Sequence, residues 1–253
     1  MLKFSKANAK IKQLSKVPAI MPYLENKRQV YSLDNLSGWT CPFANDCLSK
    51  AIVVDGKRKI KDGPNTQFRC FSASQEVLFP ALYNLRKHNT DLIRKADGVQ
   101  AKVDLMLSGL PKNIGVLRFH VGGDFMNREY FDAACEVAKS RPDVLFYAYT
   151  KSLPYWVNRI NDIPDNFVLT ASRGGRRDDM ISQYGLRESV VVFSESEAKK
   201  QKLAIDHDDS HAANPDSRNK SFALLIHGVQ PKGTEAATAL RALNGKGSYG
   251  RKK

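Results

Sequence analysis

The sequence predicts an α/β fold with a mainly parallel sheet. Three observations carry that expectation. Short apolar runs rich in Val, Leu, Phe and Tyr recur from about residue 114 onwards, helical stretches with recognisable ends separate them, and successive runs start 22 to 33 residues apart, the length of one βα unit. Parallel strands require crossovers, so alternation on this scale means a sheet covered by helices.

The runs are residues 115–121 (GVLRFHV), 144–150 (VLFYAYT), 167–172 (FVLTAS), 189–193 (SVVVF) and 222–227 (FALLIH), bounded by Gly, Pro, Asp or Asn. Residues 29–33 (QVYSL) supply an earlier candidate strand. Six strands suit either an open doubly wound sheet or a partial (β/α)6, TIM-barrel-like arrangement. Asn127 can cap a helix whose buried stripe is Tyr130, Phe131, Ala134, Cys135 and Ala138, closing at Pro142. Ser194 with Glu197 fits a capping box, and Thr234 opens an Ala/Leu helix that ends at Asn244-Gly245. Before residue 114 the pattern is less regular. Ser72 and Gln75 fit a capping box for a helix carrying Val77, Leu78, Leu82 and Leu85, and residues 55–64 read as an exposed hairpin or insertion. With no internal repeat and no sharp break in composition, residues 1–244 are expected to form a single α/β domain. Residues 245–253, rich in Gly and basic groups, read as a flexible basic tail.

Composition narrows the function classes. Forty Lys and Arg against 26 Asp and Glu give a net charge of +14. That excess raises the odds of a nucleic-acid or other polyanion partner, although scattered basic groups also simply keep a surface solvated. No stretch reaches the ~20 apolar residues of a membrane span, so a non-membrane, cytoplasmic protein is expected. Four cysteines are too few for a disulfide scaffold at this length, and in a reducing compartment clustered thiols point to a metal or a reactive site.

In parallel α/β proteins the active groups gather at the carboxyl ends of strands. That rule selects Cys41, Cys47 and Cys70 after the first candidate strand, then His120, Gly122, Gly123 and Asp124, then Thr150-Lys151-Ser152, then Ser172, Arg173 and the basic loop after it, then Ser194-Glu195, and last His227-Gly228 with Gln230 and Lys232. Soft thiolates select zinc or iron–sulfur clusters. No fourth ligand for a closed zinc site stands nearby, which puts a [4Fe–4S] cluster on Cys41, Cys47 and Cys70 ahead of zinc. Cys135 lies on an apolar stripe and reads as core. Gly122 and Gly123 permit close backbone approach to a ligand or merely a tight βα turn, in which Asp124 either accepts from a ligand or complements a helix dipole. Arg173, beside a Gly pair, could fork onto an oxyanion. Residues 206–211 (DHDDSH) could bind a divalent cation or form an exposed acidic loop.

The stretches 36–47 (LSGWTCPFANDC), 68–74 (FRCFSAS), 118–125 (RFHVGGDF) and 146–152 (FYAYTKS) together resemble a bacteriophage protein family, common in marine phages and related to the gene product 88 domain. This likeness covers nearly the whole chain and implies a phage origin, hence the cytoplasm of an infected host cell. A looser similarity is to radical S-adenosylmethionine enzymes, which bind a [4Fe–4S] cluster with three cysteines after the first barrel strand and carry a Gly-Gly-Glu segment after the second. By that resemblance the fold is radical-SAM-like and Cys41, Cys47 and Cys70 are cluster ligands. Gly122, Gly123 and Asp124 would then meet the methionine amino group of S-adenosylmethionine, with Ser172 and Arg173 near its ribose or carboxylate. The sequence departs from the pattern in its wide cysteine spacing and in having Asp where those enzymes have Glu.

Two functions are therefore expected from different classes. One is a phage iron–sulfur protein, a redox or radical enzyme with His120, Asp124 and Arg173 facing substrate. The other is a basic nucleic-acid-binding protein or metal-dependent nuclease. A non-catalytic factor that binds a host protein is a third.

Overall fold

Six parallel strands cross the middle of the sheet in chain order. The computed structural model describes residues 1–8 and 11–244, so the basic tail expected at 245–253 lies outside the described residues. Strands β1 (Ser5–Lys6) and β2 (Gln29–Leu33) open the chain, and β3 (Ser49–Val54) and β4 (Lys57–Asp62) form a separate hairpin. Then follow β5 (Ile114–Phe119), β6 (Leu145–Thr150), β7 (Phe167–Ser172), β8 (Glu188–Val192), β9 (Ala204–Ile205) and β10 (Phe222–Leu225). The eight-stranded sheet has the order β1-β2-β5-β6-β7-β8-β10-β9, with β1 antiparallel to β2 and every other pairing parallel. From β2 to β10 the order never reverses, which corrects the doubly wound alternative, because that topology needs a switch point. Among the described residues the outer strands β1 and β9 do not pair with each other. The sheet is open, not a closed barrel.

Successive side chains point to opposite faces of a strand, and the two faces bury different partners. Leu117 and Phe119, Phe146 and Ala148, and Phe167 and Leu169 pack beneath α3 (Gly98–Gly109), α4 (Arg128–Ser140) and α5 (Leu153–Val157). The opposite residues Val116, Leu145, Tyr147, Val168 and Phe222 meet Ile11 and Leu14 from an N-terminal 3-10 turn and Ile20 at the head of the next, together with Ala212 and Ala213. Each fully buried aromatic or aliphatic side chain contributes about 1.5–3 kcal/mol. A third cluster joins Val192, Ala198, Leu225 and Ala236 at the far edge of the sheet.

Local sequence sets the helix ends. Asn127 caps α4 by accepting from the Tyr130 amide at 2.9 Å, and the whole expected stripe, Cys135 included, is buried. Ser194 caps α7 (Glu195–Lys200), Glu197 reaches back to the Phe193 amide at 2.7 Å, and Thr234 caps α9 (Glu235–Ala242). The Ser72 helix differs from expectation. Cys70 is the N-cap of α1 (Phe71–Leu78), and Pro80, which has no amide to donate, ends that helix and begins α2 (Pro80–Lys95). The chain turns there, so Leu78 is 59% exposed and α2 buries Arg86, Asn89, Thr90 and Ile93 instead of a leucine stripe. Two short helices, α6 (Asp179–Gln183) and α8 (Ser210–Ala213), complete the set. The insertion expected at residues 55–64 is the turn and second strand of a hairpin that starts earlier, at Ser49, and is closed by Asp55-Gly56, both with left-handed φ (52° and 72°), as a two-residue hairpin turn requires. Among the described residues no helix is long and apolar enough to cross a membrane.

Candidate functional site

Three cysteines from two separated segments meet beside the carboxyl ends of β2, β5, β6 and β7. Cys41 sits in a turn entered through Gly38, whose φ of +71° and lack of a Cβ let Ser49 O and Lys50 approach. The turn is clamped from behind. Leu36 N donates to Thr90 Oγ1 at 3.0 Å, while Ser37 donates through both its amide and its hydroxyl to Glu76 Oε1 at 2.9 Å. The segment leading to Cys47 docks on the loop after β7, where Asn45 and Asp46 amides donate to Gly174 O and Ala44 bridges Gly175. Cys70 is held by Ser49 Oγ on its amide and by a brace from the loop after β10. In that brace Arg69 N donates to Gln230 Oε1 at 2.8 Å, and Gln230 Nε2 donates to Arg69 O and His227 O. Gly228 allows the backbone to lie against Phe71, and the His227 ring packs on the Phe71 ring at 4.6 Å.

The thiols share one electrostatic neighbourhood. Burial pushes Cys41 well above the ordinary thiol range, and negative charge on Asp124, Cys70 and Cys47 pushes it further. Burial and the charge of Cys47 push Cys70 up to about 11, against the pull of the Ser72 and Ala73 amides at the start of α1. All three are half-buried and free, and the Gly38 amide donates to Cys41 Sγ at 3.3 Å. Among the described residues no group of three His, Cys, Asp or Glu side chains is disposed to hold a single metal ion.

Asp124 lies next to the thiols, with both carboxylate oxygens engaged by the chain. Its Oδ1 accepts from Thr150 Oγ1 at 2.6 Å and from the Phe125 amide at 2.7 Å, and its Oδ2 accepts from the Lys151 amide at 2.8 Å. Burial pushes its carboxyl up to about 6 in spite of these bonds. Lys151, itself buried, extends its ammonium to Ser172 O, Ser172 Oγ and Arg173 O at 2.7–3.0 Å. Asp124, Lys151 and Ser172 thus form one polar chain that fastens the loop carrying Gly174 and Gly175 against the cysteine segment.

The remaining candidates fall elsewhere. His120 was expected to face substrate, and its ring is turned into the core. Its backbone has φ +65°, its ring is buried against Phe125 and Tyr130, its Nε2 lies 3.0 Å from Tyr130 Oη, and burial lowers its pKa to about 3. Gly122 and Gly123 are close-approach positions, but toward the protein's own atoms. A Cβ on Gly122 would lie 2.4 Å from Ser72 Oγ and 2.6 Å from Arg86 Cζ, and one on Gly123 would lie 2.6 Å from Thr40 Oγ1. Arg173 is 42% exposed and engages Glu188, with Nη2 to Oε1 at 3.0 Å.

The sequence model of the family described as gene product 88 matches residues 2–245. The chain belongs to the gene product 88 family. This is the phage-related family that its motifs resemble, and no curated protein and no solved structure matches the chain. The radical S-adenosylmethionine likeness therefore rests on motifs alone.

In this gene product 88 protein the Asp206–His211 segment is neither an exposed acidic loop nor a free cation site. Asp209 is buried and accepts from Arg118 and from Tyr147 Oη at 2.9 Å, while Asp206 accepts the amides of Asp208 and Ala212. Burial pushes Tyr147 and Tyr149 up, which keeps them as donors to Asp209. Arg187 locks the segment to the sheet through Leu169 O, Thr170, His211 O, Ala212 O and Ser217 O. Sequence reading missed Glu76 and Arg86, whose buried ion pair stands behind Cys70 at 2.9 Å. The only signal was a carboxylate four positions after Ser72 on the buried side of a short helix.

Proposed function

We propose that this gene product 88 protein binds a [4Fe–4S] cluster through Cys41, Cys47 and Cys70. The observation that carries the reading is the convergence of three free thiols, 29 residues apart at their extremes, into one shared field. The donor set fits a cluster better than zinc. A cluster spreads three protein thiolates over three different irons, whereas a closed zinc site takes four protein ligands on one ion. Amides of Gly38, Ser72 and Ala73 aimed at two of the sulfurs favour their thiolate forms and would tune a bound cluster. When bound, a cluster with three thiolate ligands supplies redox chemistry and one iron open to a further ligand. Within the chain, Asp124 and Lys151 set the position of the loops that carry the thiols, and α1 sets Cys70. The chain-order parallel strands support reading the open sheet as an unclosed (β/α)6 barrel with its ligand end at the cysteines. S-adenosylmethionine as the ligand of the open iron is a finer proposal, supported by the motif order alone. The metal-dependent nuclease reading has no support in the 206–211 segment, whose two buried carboxylates are already engaged.

Anaerobic purification tests the reading. The expected result is brown protein with about four irons and four sulfides per chain. Colour and iron should be lost in Cys41→Ala, Cys47→Ala and Cys70→Ala but kept in Cys135→Ala. Colourless protein carrying stoichiometric zinc overturns it.

A further inference from the structure

The β3–β4 hairpin has two unlike faces. Its register pairs Ser49 with Asp62, Ala51 with Ile60 and Val53 with Arg58 on one side, and Lys50 with Lys61, Ile52 with Lys59 and Val54 with Lys57 on the other. The first side packs on α1, where Ala51 is buried and Arg58 Nε donates to Val77 O. The second side carries four lysines and no carboxylate. Two of them, Lys50 and Lys61, stand directly opposite one another, an arrangement that costs stability unless something else uses it. Among the described residues none of the four has an acidic partner within salt-bridge distance, whereas the hairpin's Asp62, on the other side, is bound by Arg69. Trp39 lies at the base of this face, 43% exposed, with its Nε1 on Ala51 O and Lys50 Nζ 4.2 Å from its ring centre. Gly38, one residue before, leaves no room for a Cβ beside Lys50 Cβ and donates to Cys41.

We infer that this face is a docking track for single-stranded nucleic acid, running from the hairpin turn to the cysteine segment. Charge complementarity carries the assignment. Lys57, Lys59 and Lys61 stand ~6.8 Å apart along one strand, comparable to the reach of one nucleotide in an extended chain, so successive phosphates can each meet an ammonium. Ile52 and Val54 between the lysines offer apolar contact, and the half-open Trp39 ring offers a base a stacking surface where the track ends. The face offers flexible ammonium groups spaced for phosphates and no planar amide or guanidinium to pair with a base edge, so binding should depend chiefly on the backbone. The inference does not depend on the cluster proposal, since its test reads binding whatever the iron content.

The test is fluorescence anisotropy of a labelled oligothymidylate with the full chain over a range of salt concentrations. The wild type should bind with an affinity that falls linearly in log–log coordinates, as counterions are released. The variant K50Q/K57Q/K59Q/K61Q should lose at least about tenfold in affinity and flatten the slope by ~3, at ~0.7 per phosphate contact on single strands. Its melting temperature should match or exceed that of the wild type, because the opposed Lys50 and Lys61 charges are gone. The pair K57Q/K59Q, remote from the cysteines, should show about half the change in slope. Unchanged affinity in both variants overturns the inference. So does tighter binding of a duplex of the same length, or of polyglutamate at equal salt, which would make the partner a double helix or an acidic protein.

Discussion

Arg86 Nη1 lies 2.9 Å from Glu76 Oε1, and neither side chain reaches solvent. The same guanidinium donates to Ser72 O at 3.2 Å, and the same carboxylate oxygen receives both donors of Ser37. One buried ion pair therefore ties α1, α2 and the Cys41 turn together behind the thiols. Removing one partner strands the other charge in a dry interior. Arg86→Met should lower unfolding free energy by about 3–5 kcal/mol, measured by urea denaturation. The double variant Arg86→Met/Glu76→Gln should recover much of that loss. If the single and double variants are equally destabilised, the pair is not the reason.

Gly122 is the contact point between the end of β5 and this ion pair. Gly122→Ala places a methyl group inside the space of Ser72 Oγ and the Arg86 guanidinium, both part of the α1–α2 support. Overpacking of this kind costs about 1–3 kcal/mol. Gly98→Ala, at a position with open space but a left-handed φ, is the comparison that separates crowding from backbone strain. Thermal unfolding should rank Gly122→Ala as the more damaging.

Lys151 holds its ammonium against three oxygens of residues 172 and 173. Lys151→Met keeps the buried stem and deletes those bonds. Loosening of the Gly174–Gly175 loop should follow, and with it the Ala44 bridge that seats the Cys47 segment. Hydrogen exchange at the Asn45 and Asp46 amides should speed up by at least about tenfold, and iron retention after anaerobic reconstitution should fall. Arg173→Gln removes the Glu188 pair and the long 4.0 Å contact with Asp178 but leaves the Asp178 bonds to the Gly174 and Gly175 amides in place, and should change both far less.

His120 gives stability a pH dependence of known sign. Burial, reinforced by the Arg118 charge, lowers its pKa to about 3, whereas an unfolded histidine titrates near ~6.5. Between those values the unfolded chain binds a proton that the folded chain refuses, so stability falls as pH drops below about 6.5. His120→Gln should remove about one proton from the uptake that accompanies unfolding across this window. Urea midpoints between pH 7 and pH 4.5 measure it, and identical slopes in wild type and variant would sink the assignment.

Much of the fold was legible because its signals are local. β2 and β7 lie where the apolar runs place them, and Asn127, Ser194 and Thr234 cap the helices they were expected to cap, because each interaction spans only three or four residues. The α1–α2 break was also written locally, at Pro80, but the leucines nearby made one continuous amphipathic helix look plausible. The site was legible only as an end of the sheet. That His120 turns inward follows from its φ and from the aromatic side chains around it, which come from β5, the loop after it and α4. That Gly122 makes room for Arg86, and not for a ligand, depends on a contact 36 residues away in sequence.

From its own pattern the chain determined an alternation of strand and helix, a set of capped helix ends, and an exposed excursion after Asp55, since propensity, periodicity and turn geometry act between near neighbours. Tertiary structure alone decided that Cys41, Cys47 and Cys70 share one field, that Asp209 and Arg187 spend their charges fastening α8 to the sheet, and that four lysines face one way without an acid among them. Those outcomes depend on which distant segments pack together, and burial changes what a charge or a thiol can do only once that packing exists.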